Sequence, residues 1–130
     1  MSTVLIVDDS ESHLVLLQAL LREHGLEVLC ARSGEEAISL AVEQRPQFVL
    51  IDLNMPDVDG WESIKRMRSE DVLGVTPIIA MSASLLDGDE CRARVAGCNA
   101  CVTKPIDMEA LLAILNRLAR SETNVTTFAS

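Results

Sequence analysis

Apolar residues in this chain fall into two kinds of segment that alternate along its length: short unbroken runs, and longer stretches where they recur every third or fourth position. The runs at 4–7, 48–51, 78–81 and 101–103 are rich in β-branched residues and predict short, buried parallel strands, the last beginning at Ala100, and 27–31 is a further short strand, second in order. Between them Leu14, Leu17, Leu20 and Leu21 take helical spacing, with Ser10 or Ser12 to cap the helix start and Gly25 to close it. Ser33-Gly34-Glu35-Glu36 forms a capping box ahead of Ala37, Ile38, Leu40 and Ala41, and Pro46 ends that second helix. A third helix starts near Trp61 and turns Ile64, Met67 and Val72 inward; Pro77 can stand only at the start of the next strand. Asp87 and Glu90 open a fourth helix that stops at Gly97, and Asp107 caps a fifth through Leu111, Leu112, Leu115 and Leu118. Strand and helix alternate five times, which predicts an α/β fold: a doubly wound five-stranded parallel sheet with right-handed crossovers.

Composition narrows the function. The 130 residues, 48% of them apolar, suffice for one continuous core, so residues 1–120 are expected to form a single domain. From 121 to 130 the chain turns polar and loses its period, and this stretch is expected to be a flexible C-terminal tail. The net charge of -9 argues against nucleic acid or an anionic membrane as partner, because both need a positive surface. The chain runs from Met1 almost at once into a strand, with no signal-peptide pattern and no run of membrane-spanning length, which predicts a cytoplasmic protein with reduced thiols. Cys98 and Cys101 have zinc or redox spacing, but a zinc site needs two further ligands and only Cys91, His13 and His24 remain as candidates, so they are expected to be small apolar fillers. His13 and His24 fall on the first helix with no matched base or nucleophile, and are expected at surface or edge positions.

Four of the five strands end on chemically suggestive residues. The first runs into Asp8 and Asp9, the third into Asp52, the fourth into Ser82, and the fifth into Lys104 and Pro105. Ligands of open α/β sheets bind outside the carboxyl ends of the strands, where these groups would gather. Carboxylates about 4 Å apart repel one another by roughly 4 kcal/mol per pair at a surface-like dielectric, and a divalent cation removes that penalty. Hard oxygen ligands with room for water and phosphate oxygens suit Mg²⁺, with Asp9 and Asp52 as direct ligands and Asp8 assisting or reaching through water. Asp52 is the expected nucleophile toward a phosphoryl group, Lys104 the compact positive charge that binds it, and Ser82 a hydroxyl donor. A cis bond before Pro105 would aim the Lys104 side chain inward.

The set Asp8-Asp9, Asp52 with Met55-Pro56 and Gly60, Ser82-Ala83 and Lys104-Pro105 resembles the receiver domain of bacterial two-component response regulators, over about residues 3 to 119. The resemblance implies a flavodoxin-like fold of strand order 2-1-3-4-5 and Mg²⁺-dependent transfer of phosphate onto Asp52 from a histidine kinase or a histidine phosphotransfer protein. It also implies a metal held by Asp9, Asp52 and the backbone carbonyl of Asn54, with Asp8 in support, and a phosphate bound by Ser82 and Lys104. A downstream target protein would meet the face of the fourth helix, fifth strand and fifth helix. The expected protein is therefore a signalling module rather than an enzyme: a single-domain regulator or phosphorelay module without DNA-binding output, or alternatively a receiver excised from a hybrid histidine kinase. One departure stands out: receivers commonly place Tyr or Phe three residues before the lysine, and here that residue is Cys101, which has no ring to swing.

A haloacid-dehalogenase-type phosphatase also uses a strand-end aspartate. Its Asp-x-Asp motif belongs on the first strand, whereas Asn54 stands two after Asp52 here and no cap domain fits. A flavin-binding domain of the same fold would need a phosphate-cradling Gly, Ser or Thr-rich loop after the first strand, which is missing.

Overall fold

A computed structural model describes residues 2–53, 60–70, 73–82, 97–120 and 127–128. Its elements are β1 (Thr3–Val7), α1 (Glu11–Glu23), β2 (Glu27–Ala31), α2 (Gly34–Gln44), β3 (Phe48–Asp52), α3 (Gly60–Ser69), β4 (Ile78–Ser82), β5 (Ala100–Thr103), α4 (Met108–Arg120) and β6 (Thr127–Phe128). The predicted helix of Asp87 and Glu90 lies outside the described residues, so α4 here is the last helix predicted from the sequence. Val72 and Cys91 lie outside them too.

Strand order is β2-β1-β3-β4-β5-β6, every pair parallel. The first five strands follow the expected 2-1-3-4-5 order of a flavodoxin-like sheet. Thr127 and Phe128 add a sixth strand beside Ala100 and Cys101, within the stretch expected to be a tail.

Strand residues alternate between two cores, as a pleated sheet covered on both faces requires. Leu5, Val7, Val49, Ile51, Ile78 and Ala80 pack with Ala37, Ala41, Ile64 and Met67 of α2 and α3. Val4, Ile6, Leu50, Ile79, Met81 and Val102 pack with Leu14, Leu17 and Leu21 of α1 and Leu111, Ile114, Leu115 and Leu118 of α4. Both helix pairs follow from apolar residues three and four apart.

The caps place the helix starts against the sheet. Ser10 Oγ accepts the His13 amide and Ser33 Oγ the Glu36 amide, while Asp107 Oδ1 accepts those of Glu109 and Ala110. Glu36 reaches back to the Arg32 amide, one residue short of the capping-box partner. The second helix stops at Gln44, with Arg45 in the left-handed region (φ 49°), before Pro46.

Where β4 and β5 begin, one side chain ties the turns together. Arg68 donates to the carbonyls of Gly97, Leu73 and Thr76 and to Asn99 Oδ1, and the same oxygen accepts the Ile78 amide. Gly97 has φ +108°, and a Cβ there would meet Arg68 Cγ at 2.8 Å, so a glycine is required on both counts. Burial pushes the Arg68 guanidinium below its ordinary pKa range, offset by attraction to Cys98. Arg68→Ala leaves several carbonyls without donors and is expected to cost about 2–4 kcal/mol in urea unfolding, because each unsatisfied buried acceptor costs roughly 1–3 kcal/mol. Arg68→Lys should recover little of this, since a point charge cannot reproduce the guanidinium fork.

Candidate functional site

Register brings the expected residues to one edge of the sheet. Val7 pairs with Ile51, Asp52 with Met81 and Ser82 with Thr103, so β1, β3, β4 and β5 all finish on the same side. Bonds just past the strands hold their ends: the Asp8 amide to Ala31, the Leu53 amide to Met81, and the Lys104 amide to the Ser82 carbonyl at 2.7 Å.

At that edge one oxygen from each of Asp8, Asp9 and Asp52 lies within 4.8 Å of the others, the only group of three or more potential metal ligands among the described residues. Asp8 and Asp52 are buried, and Asp9 is the more open of the three. Lys104 Nζ stands 2.9 Å from Asp52 Oδ2 and 4.0 Å from Asp8 Oδ2. The Lys104-Pro105 bond is cis, as expected. Ser82 is buried at the end of β4. Asn54, Met55 and Pro56 lie outside the described residues, as do Asp57, Asp59 and Ala83, so the carbonyl assigned to the metal is among them.

Sequence reasoning missed one member. His13, expected at a surface position without a partner, bonds Asp8 Oδ2 through Nδ1. A histidine at the third position of a helix whose cap follows Asp8-Asp9 was the available signal. A helical side chain leans back toward the N-terminus, here over the acids. Arg32 adds a bond from Nη2 to the Asp9 carbonyl.

The thiols behave largely as expected. Cys98 and Cys101 are buried in the α2–α3 core with Sγ atoms 3.7 Å apart, and neither is in a disulfide. The hydrogen bond from Cys101 holds the Cys98 thiol below its ordinary pKa against the effect of burial, with Arg68 assisting. At Cys30, burial pushes the thiol up.

A doubly wound sheet with acids at the ends of β1 and β3 and a lysine after β5 defines a phosphoacceptor-type signalling domain. The profile of the response regulator receiver domain matches residues 4–116, and the chain belongs to this family, the receiver domains of two-component systems. It is 40% identical over 106 residues to the polar-differentiation response regulator DivK of Brucella anthropi, covering 82% of this chain and 86% of that protein. The chemotaxis response regulator CheY4 of Vibrio cholerae superposes with a TM-score of 0.86 at 31% identity, over 91% of this chain and 98% of the other. The receiver domain of sensor histidine kinase PA1611 from Pseudomonas aeruginosa, solved with a magnesium ion coordinated in its active-site cleft, gives 0.84 at 31% identity, over 92% and 98%.

Proposed function

We propose that the protein takes a phosphoryl group onto Asp52 from a histidine kinase or histidine phosphotransfer protein, with Mg²⁺, and thereby switches its contacts with a downstream protein. The observation that carries this is the ammonium of Lys104 at 2.9 Å from Asp52, beside a converging trio of acids. The donor set fits the metal: three hard carboxylates converge with one edge open, as Mg²⁺ prefers when it keeps water and phosphate oxygens. Asp9, Asp52 and the Asn54 carbonyl would hold it, with Asp8 in support. When bound, the metal supplies positive charge to the phosphoryl oxygens.

The residues do the rest by position and charge. An Asp52 carboxylate oxygen attacks phosphorus as the donor's N–P bond breaks and the imidazole leaves. Lys104 Nζ and the Ser82 hydroxyl then bind the new phosphoryl oxygens. Because the Lys104 amide bonds the Ser82 carbonyl, the two move as one unit, and their shift carries the signal to the face of β5 and its flanking helices.

The role is signalling in the cytoplasm, without nucleic-acid or membrane contact. The surface charge and the lack, among the described residues, of any helix long and apolar enough to cross a membrane support this. A single-domain regulator or phosphorelay module is the favoured arrangement, given the DivK relative; the PA1611 neighbour supports the alternative of a receiver from a hybrid kinase.

Acetyl phosphate with Mg²⁺ tests the chemistry. Intact-mass measurement should show one added phosphoryl group, labile to hydroxylamine as an acyl phosphate is. A mass unchanged under saturating donor and Mg²⁺ would overturn the proposal.

A further inference from the structure

Both oxygens of Asp8 are occupied by protein donors. Oδ1 accepts the Ser10 amide at 2.9 Å, and Oδ2 accepts His13 Nδ1 and faces Lys104 Nζ at 4.0 Å. The His13 backbone is set by its bond to Ser10 Oγ, which holds the ring over the turn between β1 and α1. The His13 side chain is 20% exposed and Asp8 is fully buried, so the imidazole sits between solvent and the acid.

We propose that His13 is a positioning residue that competes with the metal for Asp8, weakening Mg²⁺ binding at the acid cluster and leaving coordination to Asp9 and Asp52. The inference rests on the metal reading above. An ionised carboxylate offers about four acceptor sites; the Ser10 amide takes one at Oδ1 and the imidazole one at Oδ2, with the ammonium 4.0 Å from Oδ2. A metal, or water bound to it, that approaches Asp8 at Oδ2 meets the imidazole there, and the two donated bonds draw negative charge away from the carboxylate. Metal loading precedes phosphoryl acceptance, and His13 therefore raises the Mg²⁺ concentration at which the domain becomes competent.

Direct Mg²⁺ titration by calorimetry, at fixed pH and ionic strength, decides the matter with wild type, His13→Ala and His13→Gln. Alanine is the better helix former, so the first variant should fold, and a thermal melt checks this. His13→Ala is expected to bind Mg²⁺ about three- to tenfold more tightly, the worth of one ordinary hydrogen bond to the carboxylate. His13→Gln keeps an amide donor for Asp8 and should fall between the two. Mg²⁺ binding equal to or weaker than wild type in His13→Ala overturns the role of His13 alone. So does a drop in its Mn²⁺ affinity, which would make the ring a ligand. No binding by any of the three overturns the metal reading, and this inference with it.

Discussion

Asp52→Ala is expected to abolish acyl phosphate formation entirely. With acetyl phosphate and Mg²⁺ the variant should keep its unmodified mass under conditions that load the wild type, and beryllium fluoride should leave the emission of the only tryptophan, Trp61, unchanged. Alanine removes the nucleophile and one of the three converging carboxylates, so phosphoryl acceptance and metal affinity fall together. It also leaves Lys104 without its closest carboxylate. Asp52→Asn separates these losses, since the amide preserves shape and can accept a bond from the ammonium while lacking the nucleophilic oxygen. A phosphoryl group found on either variant under the same conditions would show that another residue is the acceptor.

Lys104→Ala should separate binding from response. The ammonium stands beside Asp52 and Asp8, so its removal takes a positive charge away from a site meant for a cation. Mg²⁺ affinity is expected to hold or rise. The rate of acyl phosphate formation should fall on the order of 10²-fold, as when one donor to developing negative charge is deleted. The beryllium fluoride response, read by Trp61 emission or amide spectra, should disappear, because no cation draws the β5 end toward the bound phosphoryl mimic. A full response in Lys104→Ala would remove the lysine from the switch. Lys104→Arg should restore little, as the guanidinium is wider and its fork is fixed.

Cys101 bears on how that switch reports outward. Fully buried on β5 and bonded to Cys98, it packs in the α2–α3 core, and the position itself carries no aromatic ring to move between inside and outside. In the proposed switch, movement of Ser82 and Lys104 would reach the surface through the backbone of β5, whose edge pairs with Thr127 and Phe128.

β1, β3, β4 and β5 were legible because each is a short run of mostly apolar residues, and burial on both faces demands that composition wherever the chain is placed. Asp8, Asp9, Asp52, Ser82 and Lys104 were legible as a set because parallel strands end on one side, so strand-end position along the sequence becomes position in space. The helix caps were readable for the same local reason: Ser10, Ser33 and Asp107 act on amides two or three residues away.

What lay beyond the sequence were contacts set by how elements rotate and approach. His13 meets Asp8 only because α1 packs with Leu14, Leu17 and Leu21 inward, which turns the ring toward the acid. Arg68 finds its acceptors at Gly97 and Asn99, 29 and 31 residues away, a separation that no local pattern encodes. The pairing of Thr127 with Ala100 uses the open edge of β5, and Thr127 and Phe128, though strand-favouring residues, form too short a run to announce it. Local composition thus determined the elements and the chemistry at their ends, and tertiary packing decided which polar side chains reach across to tune them, since those bonds rest on relative orientation rather than on sequence pattern.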